Sequence, residues 1–370
     1  MSRHGYSLRR DTLLWTLLAV FVLFSALHPA RMVEYPGLVD WPTIATLTGL
    51  LLITAGIEES GFLHALAVRI LRVVPDERRL ALFLLAASAL LASLLTNDIA
   101  LFIVVPLTLS LRRHAVLPVG RLVIFEAFAV NTGSMLTPIG NPQNIFLWQT
   151  SGVHFHEFVW GMAPAVLVAG SCLALFTWSA FHPRPLRLKA LSPSMAVRRP
   201  MLYVSALLFL PFLVLADLRH AGLALLMTTL VFLVFYHKVL QRLDWPLLLV
   251  FVLMFVDLRL FGELSWVQAL LGRVDLGQPL TLFGTGALLS QVMSNVPATI
   301  LLSQYSHDWR SLAWGADVGG FGLVIGSLAN LIALRLGRQP GGFWAFHAWS
   351  LPFFLCTALG TGLWLAVASG

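Results

Sequence analysis

Runs of about twenty apolar residues recur along this chain, each long enough at 1.5 Å per residue to cross the roughly 30 Å hydrocarbon core of a bilayer. They fall near 12–30, 41–62, 121–150, 157–181, 200–217, 221–237, 244–261, 314–335 and 347–367, which predicts nine crossings. With 58% hydrophobic and 11% charged side chains in 370 residues, that much apolar surface cannot be hidden in a water-soluble core. The expectation is an all-α polytopic membrane protein with the lipid bilayer as its solvent.

Two further apolar stretches, 80–111 and 280–305, are interrupted near their middles by Thr96-Asn97-Asp98 and by Ser294-Asn295-Val296-Pro297. Each arm holds about 12 to 16 residues, roughly 18 to 24 Å of helix, which is too short to span. Both therefore read as re-entrant hairpins whose tips stop near mid-membrane. Segment 63–79 reads as an amphipathic helix on the inner surface, and segment 182–199, with five basic residues and three prolines, as a linker.

Loop charge assigns sides. With the amino terminus in the cytoplasm, all but five of the 24 Lys and Arg residues lie on the cytoplasmic side, the exceptions being Arg31, Arg219, Arg259, Arg273 and Arg310. That is the bias of the positive-inside rule, so the carboxy terminus is expected outside and the location is the cell (inner) membrane. The formal charge of +7 belongs to these loops and does not point to nucleic acid. Arg3, Arg9 and Arg10 before the run Leu13 to Leu27 also fit a signal peptide; a retained first helix is the expectation, because the repeat described next has a use for it. Cys172 and Cys356 lie in apolar runs and read as packing residues, and histidines such as His114, His154 and His156 lack metal-ligand spacing. No phosphate-binding loop or Ser/His/Asp arrangement occurs, so no enzyme, cofactor or built-in ATPase is expected, and an ion or substrate gradient must drive any transport unless a separate subunit supplies the energy.

The chain repeats itself. Asp40-Trp41-Pro42 and Asp244-Trp245-Pro246 open two crossings, with Asp placed to cap free amides and Pro suited to the first turn. Each is followed in the same order by a hairpin with Asn at its tip and then by a crossing with a Gly-containing break, IGNPQNI at 139–145 and IGSLANL at 325–331. The expected division is a first repeat at 1–181, a linker and inverting helix at 182–220, and a second repeat at 221–370. Four crossings in the first half and one more at 200–217 would make the halves inverted, the architecture of carriers that work by alternating access.

Broken backbone is tolerated at membrane depth only where protein or a polar cavity satisfies it. The breaks therefore nominate Thr96, Asn97, Asp98, Ser134, Thr137, Gly140, Asn141 and Asn144 in the first half, and Ser294, Asn295, Thr299, Gly326, Ser327 and Asn330 in the second. Half-helix amino termini suit an anion, while carbonyl and amide oxygens suit a coupling cation, with Na+ a candidate at Asn97, Asp98, Asn141, Asn295 and Asn330. Pro138, Pro142 and Pro297 remove donors and shape the breaks. Isolated Asn, Ser or Thr can equally serve as glue between helices, a reading that weighs most for Ser134 and Thr299 taken singly. Asp98 is the acid at a tip, where an ion ligand or proton carrier is expected. Glu126, five residues beyond Arg121, reads as snorkelling to the inner interface, with a site role the weaker alternative, and Asp257 as interfacial or paired.

The segment NTGSMLTPIGNPQN at 131–144, with TND and SNV at the hairpin tips, resembles the ion transporter superfamily, which includes divalent anion:sodium symporters, citrate-transporter-like permeases, arsenite efflux permeases and some sodium/proton antiporters. The resemblance covers most of the chain. It implies that tips and breaks bind sodium and substrate carboxylates, and it suggests a homodimer. Asp98 and Val296 stand where the superfamily's tip motif has Thr. The expected function is secondary transport of a small anion, a di- or tricarboxylate or an inorganic oxyanion, coupled to Na+ or H+. Na+/H+ antiport or arsenite efflux is the alternative, and a passive channel a further one.

Overall fold

The computed structural model describes residues 12–62, 65, 76–111, 117–185, 196–337 and 342–369. In chain order the helices are α1 (Thr12–Leu27), α2 (Tyr35–Leu38), α3 (Trp41–Glu59), α4 (Glu77–Leu94), α5 (Asn97–Leu111), α6 (Val119–Ser134), α7 (Pro142–Ser151), α8 (Phe155–Ala180) and α9 (Arg199–Asp217). They continue with α10 (Ala221–Leu240), α11 (Trp245–Gly262), α12 (Ser265–Leu271), α13 (Pro279–Met293), α14 (Asn295–Leu302), α15 (Trp309–Gly319), α16 (Leu328–Gly337) and α17 (Gly342–Ser369). No strand forms among the described residues beyond an isolated bridge between Asp76 and Pro185.

Six of these helices, α3, α8, α9, α10, α11 and α17, are long and apolar enough to cross a membrane, and a seventh span arises if α1 and the bent segment after it count as one. Four of the six, α8, α9, α10 and α17, have only 22–33% of their residues buried although apolar throughout, which is the surface of a protein whose solvent is lipid. The remaining two expected crossings, 121–150 and 314–335, are each broken in two, as α6 with α7 and as α15 with α16. The amphipathic segment expected at 63–79 and most of the linker 182–199 lie outside the described residues.

The chain forms two compact units. The smaller comprises Met1–Ala55 and Leu207–Val274. Here α1 packs on α11, and Arg31 pairs with Glu263 at 2.7 Å and with Glu34 at 3.2 Å. The repeated tripeptide acts as its residue types require: Asp40 Oδ1 accepts from the Thr43 amide at 2.8 Å and Asp244 Oδ1 from the Leu247 amide at 3.0 Å, each capping the helix that the Pro begins. Asp257 on α11 departs from expectation: it is buried at 2% exposure, and neither carboxylate oxygen has a hydrogen-bond partner among the described residues.

The larger unit comprises Gly56–Ala206 and Asp275–Gly370 and runs twice through one order of elements. A hairpin (α4 with α5, then α13 with α14) precedes a broken crossing (α6 with α7, then α15 with α16), and a long helix follows (α8, then α17). The first arm of each hairpin packs closely on the broken crossing of the same half, α4 on α6 and α13 on α15. Glycine makes this possible. A Cβ on Gly133 of α6 would overlap the backbone of Ala89, and one on Gly319 of α15 would lie 2.6 Å from Ser290 Cβ and 2.8 Å from the Ala287 carbonyl oxygen. Arg78 and Arg121 donate to the Phe181 and Ala180 carbonyls at the carboxy-terminal end of α8, where cations complement the helix dipole. Glu126 also departs from expectation: it does not snorkel but is wholly buried, accepting a hydrogen bond from Thr108 on α5. Because overpacking costs about 1–3 kcal/mol, Gly133→Ala and Gly319→Ala should each lower the melting temperature of the purified protein, whereas Gly170→Ala, with nothing within 4 Å of an added Cβ, should leave it unchanged.

Candidate functional site

The larger unit holds all four interruptions. At the first tip α4 ends at Leu94 and α5 starts at Asn97, whose amide donates to the Gly140 carbonyl at 2.9 Å while its side-chain oxygen accepts from the Asp98 amide at 2.9 Å. The tip is thereby tied to the break after α6. Thr137 strengthens the tie, its hydroxyl donating to the Ser93 carbonyl at 2.7 Å. Thr96 is buried beside them.

At the second tip Ser294 takes φ = 75°, a left-handed backbone costly for a residue with a Cβ, and α14 begins at the next residue. The Ser294 hydroxyl lies 3.5 Å from the Gly326 carbonyl, the counterpart of the Gly140 contact in the first half. Gln291 spans the same break, donating to the Gly319 carbonyl at 2.6 Å and accepting from the Leu323 amide at 2.7 Å. Thr299 bonds back to the Asn295 carbonyl at 2.8 Å, so its hydroxyl proton is used within its own helix.

The two breaks are built differently. Pro138 and Pro142 flank the first, and Asn141 caps α7 by accepting from the Asn144 amide at 2.9 Å. Glycines at 319, 320, 322 and 326 open the second. Each break is held by the broken helix of the opposite half. Asn131 on α6 donates to Asn330 Oδ1 at 3.0 Å and accepts from the Ser327 hydroxyl at 3.2 Å. Asp317 on α15 accepts through Oδ1 from Asn141 at 3.0 Å and from Gln143 at 2.8 Å. The second arms cross over as well, α5 packing on α16 and α14 on α7.

Every residue nominated from sequence thus lies at a tip, at a break or within the adjoining helix turn, and Asn97, Gly140, Asn141, Ser134, Asn144, Ser294, Gly326, Ser327 and Asn330 take part in one hydrogen-bonded network. Three members were missed: Asn131, Gln143 and Asp317, all buried to 4% exposure or less. The repeat register could have found two of them. Aligning Ile139-Gly140 on Ile325-Gly326 places Gly133 on Gly319, Asn141 on Ser327, Asn144 on Asn330, and Asn131 on Asp317.

Four helices begin within this network, α5, α7, α14 and α16, and the first-turn amides of a helix have no partner inside it. The network can therefore offer N–H groups to an anion and amide, carbonyl and carboxylate oxygens to a cation.

Comparison with known proteins agrees with this architecture. The sequence pattern of the family described as citrate transporter, CitMHS, matches residues 8–314. The chain is 43% identical over 359 residues to the inner membrane protein YbiR of Escherichia coli, covering 95% of each chain. It is 30% identical over 335 residues to an uncharacterized transporter of Methanocaldococcus jannaschii, covering 89% of this chain and 90% of the relative. An uncharacterized transporter of Mycobacterium bovis is 25% identical over 353 residues. A multi-pass helical membrane protein with this match over most of its length belongs to the citrate transporter family and is a membrane transporter.

Proposed function

We propose that the chain is a secondary active transporter that moves a small anion, with a di- or tricarboxylate the leading class, coupled to Na+ or H+ by alternating access of two inverted repeats. The observation that carries the proposal is the reciprocal hold of the two breaks, Asn131 on Ser327 and Asn330, and Asp317 on Asn141 and Gln143. It gathers four helix amino termini about one polar centre, an arrangement that suits carboxylate groups. The family's description as citrate transporter supports the same class. Asn97, Asn144, Asn295 and Asn330 are the side chains taken to surround the site, and Asp98 at the first tip is assigned to the coupling cation.

A second reading has its own support. Asp317 and Glu126 are buried acids inside the larger unit, and buried acids in membranes commonly serve ion or proton pathways. That favours Na+/H+ antiport, or arsenite efflux, over anion symport. Uptake of labelled citrate, succinate, sulfate and arsenite into proteoliposomes decides between them, with sodium against potassium outside and with or without a pH step. Sodium- or proton-stimulated accumulation of a carboxylate is expected, with counterflow of labelled substrate that a passive channel would not show. A sodium-dependent pH change with none of the four anions accumulated would replace symport by antiport.

Two substitutions test the assigned roles. Asp98→Asn should abolish cation stimulation while the protein still reaches the membrane, and unchanged coupling would remove Asp98 from the mechanism. Asn131→Leu strips the second break of two partners and leaves the Ser327 hydroxyl and Asn330 carbonyl unsatisfied, at a cost of about 1–3 kcal/mol each. A lower melting temperature together with loss of uptake is the expected result.

A further inference from the structure

We infer that Asp317, Gln143 and Asn144 form a site for one monovalent cation, Na+, distinct from the tip residues. The inference rests on the secondary-transport reading for its purpose, though not for its geometry. The three side chains lie at 3%, 1% and 0% exposure. Asp317 Oδ1 accepts from the Asn141 and Gln143 amides at 3.0 and 2.8 Å, while the Asn144 amide lies 3.4–3.5 Å from the Ser134, Met135 and Thr137 carbonyls. Yet Asp317 Oδ2, Gln143 Oε1 and Asn144 Oδ1 are all buried acceptors without a hydrogen-bond partner among the described residues. Three buried acceptors without partners on three neighbouring side chains are a costly arrangement unless a donor or a cation joins them.

The chemistry of the set limits what that is. A proton on Oδ2 would satisfy that oxygen and one amide oxygen at most, leaving the third acceptor bare. A metal cation held by all three would satisfy the whole set. A single carboxylate balances a single positive charge; a divalent ion would leave net charge in a medium where an isolated charge is expensive. Oxygen-only ligation matches a hard cation. The unpartnered acceptors are one carboxylate oxygen and two side-chain amide oxygens.

The repeat supplies an internal control. Asn131, the register mate of Asp317, bonds Ser327 as Asp317 bonds Asn141, the mate of Ser327, and bonds Asn330 as well, all with a neutral amide. An amide is therefore sufficient to hold a break to the opposite helix. The acid at 317 goes beyond that structural task.

Equilibrium binding of 22Na+ to the purified, detergent-solubilised full chain tests the site without any assumption about the anion. The wild type should bind Na+ in competition with Li+ more than with K+ or choline. Asp317→Asn, which keeps the geometry that Asn131 shows to be viable, should lose at least one bound Na+ per chain while melting in choline buffer at or above the wild-type temperature. Gln143→Ala should raise the half-saturating Na+ concentration about tenfold, the scale on which metal sites respond to loss of a supporting group. Absence of Na+ binding by the wild type, or Na+ binding by Asp317→Asn with unchanged stoichiometry and affinity, would overturn the site. Should Na+ binding be lost in Asp317→Asn while no anion is taken up by wild-type proteoliposomes, the site stands and the anion reading falls; proton-driven uptake without Na+ binding is the reverse case.

Discussion

Lipid offers no hydrogen bonds, and the larger unit is organised by that fact. A helix interrupted at membrane depth exposes amides and carbonyls whose burial without partners costs several kcal/mol each. This unit carries four interruptions and meets the cost by making each the partner of another. Tip one is bonded to break one through the Asn97 amide and the Gly140 carbonyl, and tip two reaches break two through Ser294 and Gly326. Each break is then held by the broken helix of the other half. Removing any one element would strand the groups of its neighbours, so the breaks persist as a set.

Close approach is the second requirement. Side-chain amides reach across only if the helices that carry them are packed nearly backbone to backbone, which Gly133 and Gly319 permit against the first hairpin arms. Both glycines sit two residues beyond the bridging side chains, Asn131 and Asp317, on the same broken helices. The residue that allows the approach and the residue that exploits it are thus inherited together in each repeat. The long helices α8 and α17 face lipid with most of their surface and need no such devices, as apolar composition suffices there.

Much of this was legible in the sequence because its causes are local. Apolar length fixed six full spans, and the Asp-Trp-Pro tripeptides cap α3 and α11 through the bonds that Asp and Pro are suited to provide. Proline and glycine located both breaks, and paired polar residues both tips. What escaped were side chains whose role depends on a partner far along the chain. Asn131 and Asp317 lie inside otherwise helical stretches and meet residues of the opposite repeat, so no local pattern marks them. Gln143 sits between two nominated asparagines, yet only the approach of α15 gives it a task. Glu126 was misread for the same reason: proximity to Arg121 in sequence suggested the interface, while its neighbour in space is Thr108 on the facing hairpin arm.

The asymmetry between the halves is where function departs from folding. Two copies of one scaffold solve the same backbone problem, and a neutral Asn131 suffices in one of them. In the other an acid occupies the equivalent position, fully buried, with one oxygen bonded to two amides and the second without a hydrogen-bond partner among the described residues. A neutral amide meets the same structural need at 131, so holding the break gives no reason for an acid at 317. An acid where the structural twin is a neutral amide, with neighbours that leave acceptors free, is accounted for by the proposed cation site and not by the architecture that holds it.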